Sequence, residues 1–467
     1  MQRPLPWKEL LGDRAPTLRS TAAMLTSFTA LAATSLIAAP SAVPLSEPCT
    51  LRRTQAHHSE GLDTWNSAYP RPTRDLDAVL VFLSFPDAAP LTTPAELTAD
   101  HFPATSEFFE RASYGKFALR PHPRREWLEM PQPSTAYAIR RDWNATHRAA
   151  YLRDALATAD PHVDFSRYDI VYFVADPHAP GVDSDATKVV NLETPLEVDG
   201  TGLRRVVTVF ERHPPDRLVL AHETGHVFDL PDLYHRPADG KGDWDTHVGD
   251  WDLMGSQFAL APDLFAWHKW KLGWLEPRQV TCVRGAGSTR LTLEAVGAGP
   301  RGAYEGETGE AGTGEAAGGE VVGRAGGAGV GGGGGGGGGS EGGTVAGVGV
   351  RTFGAGRGTK LAVVRTGPDS ALAIEARGAV GNDGSVCTQG VLVYRIRSGA
   401  ESGGGPIEVL DAHPRTEACW EDSVYPPLAD APVGVGESFT VPGEVVRVEV
   451  EGRTATGAWT VRIVTGR

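Results

Sequence analysis

The side chains best suited to chemistry occur in the stretch Leu218–Tyr234, which has the sequence LVLAHETGHVFDLPDLY. His222 and His226 are one helical turn apart, so on a helix both imidazoles project from the same face and can bind one Zn²⁺. Glu223 follows the first histidine and can reach a water molecule on that ion without being a ligand itself. This spacing predicts a zinc site with an adjacent general base, the residue set of a metal-dependent hydrolase.

A catalytic zinc site takes three protein ligands and leaves one position for water, so a third ligand is needed. No glutamate occurs between Glu223 and Glu276, which disfavours the class of site that uses a downstream glutamate. In the pattern H-E-x-x-H-x-x-G-x-x-(H/D), the third ligand follows the second histidine by six residues, and that residue here is Asp232. Pro231 disfavours helical geometry at the residue before it, which would end the helix and let Asp232 turn back toward the metal. The rival candidates are His235, Asp229 and His247.

Two further residues suit the surroundings of such a site. Asp229 occupies the glycine position of the pattern, where a left-handed backbone is tolerated, and aspartate is among the few other residues enriched in that conformation. Met254 lies in the turn-like segment Gly249–Ser256, where it would form a hydrophobic floor below the metal rather than a ligand. An ordinary buried methionine would give the same pattern, so Met254 indicates a metal site only in combination with His222 and His226.

These motifs resemble the immune inhibitor A-like metalloendopeptidases, peptidase family M6 of the metzincin type. The family pattern H-E-x-G-H-x-x-G-L-P-D-x-Y is matched by His222–Tyr234 except at Asp229, and a W-x-x-M turn follows it. The resemblance extends from about Leu76 to Arg397. The other matching segments are Val79–Asp87, Phe109–Phe117, Trp251–Ser256, Phe265–Leu275, Leu372–Arg377 and Gly390–Arg395.

The resemblance implies an exported zinc endopeptidase that acts on extended polypeptide. It implies that His222, His226 and Asp232 are the zinc ligands. It further implies Glu223 as the general base and Met254 as the structural methionine of the turn. A strand at the sheet edge would pair with substrate by β-augmentation. We assign this role to the strand formed by Val206, Val207, Thr208, Val209 and Phe210.

Apolar runs and helical spacing outside the motif predict two structured regions. The predicted strands and helices of the first are Ala78–Phe85, Glu107–Ala112, Thr146–Ala159, Ile170–Val174 and Val206–Phe210. Their alternation predicts an α+β, metzincin-like catalytic domain over residues 76–280. Short strands separated by Gly, Pro and Asp turns predict an all-β, sandwich-like domain that begins at 281–296 and continues over 359–467. Residues 297–358 are glycine-rich low-complexity sequence, interpreted as a disordered insertion.

The N-terminus and the charge balance indicate an exported protein. Basic residues precede the apolar run Ala22–Ala39 and small residues follow it, which predicts a signal peptide over residues 1–42. A retained membrane anchor is the alternative, because the run is almost long enough to span a bilayer. Residues 43–75, rich in Pro, Ser and charge, are predicted to be a pro-segment or linker. The net charge of −14, from Lys+Arg 44 against Asp+Glu 58, argues against nucleic acid or an anionic membrane as a partner.

Four cysteines fit an oxidising environment, where an even count usually means two disulfides. Three pairings are possible. We favour Cys387 with Cys419 because both lie in one β-rich segment, which leaves Cys49 for Cys282. The alternative for Cys49 is an inhibitory thiolate on the metal, but no supporting motif surrounds it.

An acidic loop between the helix and the methionine turn suggests a second cofactor. Calcium is plausible for an exported protease, so Ca²⁺ is a candidate, although the spacing is not that of an EF-hand. A solvated loop is the favoured interpretation. The acidic residues are Asp239, Asp243, Asp245, Asp250 and Asp252.

Two other function classes compete with the peptidase. One is a non-catalytic exported binding or adhesion protein on a metal-stabilised metzincin scaffold, and the other is a metal-dependent hydrolase of a non-peptide bond. The intact Glu223 favours catalysis, because a purely structural metal site would not require that residue.

Overall fold

A computed structural model of the chain describes residues 49–216, 218–237, 241–299 and 358–466. The predicted signal peptide, the first residues of the predicted pro-segment and nearly all of the glycine-rich insertion lie outside these ranges. Within them the fold is mixed α/β, with three sheets and few helices. No helix in the described ranges is long and apolar enough to cross a membrane.

The first sheet consists of β1 (Leu76–Ser84), β2 (Leu119–Glu129), β3 (Ile170–Ala175), β4 (Lys188–Val198) and β5 (Thr201–Val209). The strand order is β2-β1-β3-β5-β4. Neighbouring strands are parallel except β4 and β5, which form an antiparallel hairpin. The predicted apolar runs of β1 and β3 are confirmed as strands, and both are buried almost throughout because the sheet is covered on both faces.

Helices cover the two faces of this sheet. The described helices are α1 (Pro94–His101), α2 (Ala104–Ala112), α3 (Ser134–Tyr137), α4 (Ala145–Ala159), α5 (Val219–Val227) and α6 (Ala266–Lys271). On one face, Tyr151 of α4 and Phe173 of β3 belong to one apolar cluster. On the other face, Leu220 of α5 and Tyr172 of β3 belong to a second cluster. The predicted zinc-ligand helix α5 therefore packs on the face opposite α4.

The remaining strands form two stacked sheets. They are β6 (Val280–Val283), β7 (Gly287–Leu293), β8 (Leu361–Arg365), β9 (Ser370–Arg377), β10 (Gly390–Arg397), β11 (Ile407–Val409), β12 (Ser438–Thr440), β13 (Val446–Arg453) and β14 (Trp459–Thr465). One sheet has the order β11-β10-β9-β8-β6 and the other β12-β13-β14-β7. Apolar residues from both sheets, such as Ile374 and Val461, share one cluster, as expected for a sandwich.

The glycine-rich insertion joins neighbouring parts of this sandwich. β7 ends at Leu293 and β8 begins at Leu361. The two flanks meet where Glu294 N donates to Thr359 O at 2.9 Å. A strand therefore lies within residues 281–296, where the β domain was predicted to begin, and the insertion falls in the connection that follows it.

The sandwich packs directly on the α/β part of the molecule. Tyr394 of β10 belongs to the same apolar cluster as Leu220 of α5. A buried ionic group lies nearby, in which Arg377 pairs with Glu375 at 3.0 Å and with Asp383 at 2.9 Å. Separating Arg377 from its carboxylate partners would leave uncompensated buried charges. The group therefore strongly favours the observed packing of the elements around it.

The prediction that Val206–Phe210 forms the sheet edge is wrong. Residues 206–209 end β5, with Phe210 directly after it, and β5 is an interior strand with β3 on one side and β4 on the other. The cause is a tight turn at Asp199 and Gly200, whose φ values of 50° and 70° let β4 pair back along β5. β4 therefore forms this edge of the sheet.

Both predicted disulfides are present, Cys49–Cys282 and Cys387–Cys419. Because Cys49 is bonded to Cys282, it is not available as an inhibitory thiolate. The bond ties the first described residue of the chain to β6.

The N-terminal segment is packed against the protein from Cys49 onward. The Glu60 carboxylate is buried and pairs with His268 Nε2 at 2.8 Å. The backbone carbonyl of Glu60 accepts a hydrogen bond from Trp267 Nε1 at 3.2 Å. A free linker would not form such contacts, so that interpretation is wrong for residues 49–75. Removal of the segment as a pro-segment stays a prediction.

Candidate metal centre

The helix α5 carries both predicted histidine ligands, and all its residues are buried. It begins where Val219 N donates to Asp216 O at 3.0 Å, and it ends at Phe228, whose N–H donates to the carbonyl of Gly225 at 3.0 Å. The chain reverses at Asp229, whose φ is 66°. This left-handed conformation is the one expected at the glycine position of the motif.

Three side chains converge in front of α5. Oδ1 of Asp232 lies 3.0 Å from Nε2 of His226 and 3.4 Å from Nε2 of His222. One ligand atom from each of the three residues lies within 4.8 Å of the others, so together they could hold a metal ion. The structure therefore brings together the three ligands predicted from the sequence.

The rival third ligands are directed elsewhere. Asp229 binds Arg53 and His58 on the far side of the chain reversal. The ring of His235 lies 5.1 Å from that of His247, and neither belongs to the metal-holding group found among the described residues. Asp232 is thus the third member of the site.

Each histidine is oriented by a hydrogen bond from its second ring nitrogen. Nδ1 of His222 lies 2.9 Å from the carbonyl oxygen of Leu253, and Nδ1 of His226 lies 2.8 Å from that of Leu230. A carbonyl oxygen can only accept, so both Nδ1 atoms carry a proton, and Nε2 is the ring nitrogen of each histidine that faces Asp232 and is available to a metal. This arrangement around a metal-binding histidine fixes its tautomer and its ring orientation.

The site stabilises positive charge. Burial disfavours the charged form of His226, but the carboxylates of Asp232 and Glu223 outweigh it and raise the pKa of His226 to about 9. Burial likewise opposes ionisation of Asp232, yet the two histidines hold the pKa of its carboxyl well below the usual range. Two imidazole nitrogens and one carboxylate are a donor set that zinc accepts, with a fourth position left for water. The residues present therefore fit a divalent zinc ion.

Met254 forms the floor of the site. A β-carbon on Gly225 would lie 2.5 Å from the sulfur of Met254, which shows how closely this side chain approaches α5. Met254 is fully buried, and its carbonyl accepts from Leu233 N at 2.9 Å. The methionine turn thus supports both the helix and the segment that carries Asp232.

Glu223 lies beside the three ligands without joining them. Its Oε2 accepts a hydrogen bond from Val189 N, on the edge strand β4, at 2.6 Å. Burial raises the pKa of the Glu223 carboxyl. The side chain is therefore placed to exchange a proton with a group held between the metal position and β4.

The site opens into a cavity of about 660 Å³ whose lining includes both basic and acidic side chains. Arg141 stacks on Trp244, with 4.9 Å to the ring centroid, and its carbonyl accepts from Lys188 Nζ. Glu211 and Asp216 line the same cavity, and burial together with the neighbouring Asp216 charge raises the pKa of Glu211 to about 7. The cavity therefore offers both basic and acidic groups to a bound molecule.

Among its described residues, the acidic loop contains no second metal-holding group, and it is not wholly solvated. Asp250 and Asp252 are buried, and their carboxylates accept backbone hydrogen bonds from Leu260 and Met254 at 3.0 and 2.7 Å. The prediction of a solvated loop is wrong for Asp250 and Asp252, because both are buried and their carboxylates stabilise the methionine turn. Asp239 lies outside the described residues, and the part of the loop that is described contributes nothing to a calcium-type cluster.

Some residues around the site carry no signal in the sequence motif. Ser402 lies 170 positions beyond Asp232 in the chain, yet its hydroxyl contacts the Asp232 carboxylate. Val189 contacts Glu223 from a strand that was not predicted. His58 packs its ring 5.6 Å from that of His226 from a segment with linker-like composition. Each of these contacts joins distant parts of the chain, which a local pattern does not reveal.

No protein-family profile matches the chain, and no curated protein is a significant relative of it. The chemistry available to the site follows from its geometry. Three donors can hold a Lewis-acidic cation at the bottom of an open cavity, and a carboxylate outside the ligand set lies next to it. This is the arrangement required for metal-assisted hydrolysis.

Proposed function

We propose that the protein is an exported zinc-dependent endopeptidase that hydrolyses peptide bonds of extracellular proteins. The observation that carries the proposal is the grouping of His222, His226 and Asp232 in one cavity with Glu223. A site that only stabilised the fold would have no need for a carboxylate beside its ligands and outside their set. The resemblance of the motif to metzincin-type peptidases agrees with this choice of reaction.

When bound, zinc would polarise the scissile carbonyl and lower the pKa of the attacking water. Glu223 removes the proton of that water and passes it to the leaving amine, so it acts first as base and then as acid. His222 and His226 would hold the cation through Nε2, because Leu253 O and Leu230 O bind the opposite ring nitrogens.

An extended substrate fits the edge strand β4. A peptide added to a sheet edge gains main-chain hydrogen bonds irrespective of its side chains. The Val189 N–H lies at the Glu223 carboxylate, so the exposed edge of β4 passes the base at hydrogen-bond distance. A scissile bond held against this strand would lie between Glu223 and the metal position.

Export is supported by the two disulfides, which are compatible with an extracellular protein. The predicted signal peptide over residues 1–42 lies outside the described residues. Together they favour action on polypeptides outside the cell.

The proposal is tested by casein hydrolysis with the chain lacking its signal peptide, beside Glu223→Ala at matched zinc content. Glu107→Ala, on the exposed side of α2, is the control for loss of a carboxylate. We expect the wild type and the control to cleave casein, and Glu223→Ala to bind zinc but lose cleavage. Equal, negligible activity of the folded, zinc-loaded wild type and Glu223→Ala would favour the non-catalytic binding scaffold.

A further inference from the structure

The connection between β10 and β11, residues 398–406, lies against the segment that carries Asp232. Ser402 Oγ donates to Asp232 Oδ2 at 3.0 Å and accepts from the Asp232 backbone N–H at 2.8 Å. A serine hydroxyl can donate one hydrogen bond and accept others, so both contacts can be made together. Ser402 thus binds the side chain and the backbone of the third ligand.

The neighbouring glycine adds two backbone contacts. Gly403 N donates to Asp232 O at 3.0 Å, and Gly403 O accepts from Arg236 N at 3.4 Å. The φ of Gly403 is 73°, a left-handed conformation that favours glycine. The connection therefore holds residues 232–236 at both ends, although they belong to no helix or strand.

The opposite side of this connection is held by the N-terminal segment. The hydroxyls of Thr54 and Ser59 both donate to Ser398 O at 2.7 Å, and His57 N donates to Glu401 Oε2 at 2.9 Å. Residues 398–406 are thereby fixed between two other parts of the chain. Such fixation lets one hydroxyl set the orientation of a neighbouring carboxylate.

We propose that Ser402 is a positioning residue for the metal, supplied to the site by the β-sandwich. By binding Oδ2, it leaves Oδ1 of Asp232 directed at His222 and His226, so that the carboxylate serves as a one-oxygen ligand. This inference depends on metal binding by the centre in the proposed function. It does not depend on whether the protein hydrolyses peptides. Loss of such an outer partner lowers metal affinity by about 10–100-fold.

The test compares Ser402→Thr with Ser402→Val in the full chain. The two variants are nearly equal in size, and only the first keeps the hydroxyl. Ser398→Ala removes a second hydroxyl from the same connection, one whose Oγ contacts Asp369 O and not Asp232. The zinc dissociation constant is measured by competition with a chromophoric chelator, and circular dichroism and thermal unfolding of the metal-free proteins check the fold.

We expect Ser402→Val to bind zinc about 10–100-fold more weakly than the wild type, with Ser402→Thr and Ser398→Ala within about threefold of it. Equal affinity of the Val and Thr variants would overturn the positioning role. A wild type that binds zinc but cleaves no polypeptide would defeat the proposed function and leave this result intact. A wild type that does not bind zinc would defeat both.

Discussion

Nη1 of Arg53 lies 2.6 Å from Oδ2 of Asp229, the residue at which the chain reverses after α5. His58 contacts the other oxygen of this carboxylate at 3.0 Å. The position that carries glycine in the motif therefore carries a buried charge here. Asp229 both adopts the left-handed backbone and binds the N-terminal segment beside the helix that carries His222 and His226.

Asp229→Asn is expected to weaken the fold in a pH-dependent way. Burial raises the pKa of Asp229, but the His58 hydrogen bond and the Lys271 and Arg53 charges outweigh it and lower that pKa to about 2. An unfolded aspartate has a pKa of about 3.9, so the charged form stabilises the fold above about pH 4, and this contribution is lost as the pH falls toward 2. At pH 7 the variant should be about 2–3 kcal/mol less stable. Urea unfolding at several pH values between 7 and 2.5 measures the difference.

The exposed aspartate Asp142 provides the control, since its side chain is 89% exposed. Asp142→Asn should unfold like the wild type at every pH. The interpretation fails if the stability difference between wild type and Asp229→Asn stays constant as the solution is acidified.

Gly225→Ala is expected to disturb the floor of the metal centre. The added β-carbon would lie 2.5 Å from the sulfur of Met254, so the methionine side chain must move within a packed core. Overpacking of this kind costs about 1–3 kcal/mol. Chemical unfolding of Gly225→Ala, Met254→Ala and the double variant should give a coupling energy of about 0.5–3 kcal/mol. Gly452, which has nothing within 4 Å of its β-carbon position, is the control site.

The parts of the site that could be predicted from sequence are those set by local geometry. His222 and His226 follow from helical spacing, and Asp232 follows from its distance along the chain to His226 and from Pro231. The left-handed backbone at Asp229 follows from its place in the motif. In each case a few consecutive residues determine the result.

The parts that could not be predicted depend on long-range packing. β4 (Lys188–Val198) is a half-exposed strand with no continuous apolar run, so the sequence predicts the more apolar segment Val206–Phe210 as the edge strand. Buried polar side chains such as Ser59 and Glu60 have the composition of a linker, and only their distant partners explain their burial. Ser402 gives no local signal, because its role depends on a contact across 170 positions.

Metal removal should distinguish Asp232 from His235 as the third ligand. A ligand that binds only the folded state stabilises it by RT ln(1 + [L]/Kd), about 2.7 kcal/mol at one hundred times Kd. We expect excess zinc to raise the unfolding temperature of the wild type and of His235→Ala, and a chelator to reverse the change. Asp232→Ala should show little response. The ligand assignment is refuted if His235→Ala loses the response and Asp232→Ala keeps it.

The basic surface of the cavity should influence which peptides are cleaved. The Arg141 guanidinium stacks on the Trp244 ring, and Lys188 Nζ donates to the Arg141 carbonyl, so a glutamate in the substrate near the scissile bond would be attracted to this pair of cations. An exposed charge pair contributes up to about 1 kcal/mol, so Arg141→Glu should lower kcat/KM for a glutamate-containing peptide about fivefold relative to its alanine counterpart. The effect should shrink in high salt because the charges are screened. Paired fluorogenic peptides measure this ratio. Arg153→Glu, an equal change of charge at an exposed position of α4, should leave this ratio unchanged. An equal effect of both variants would rule out a local role for Arg141.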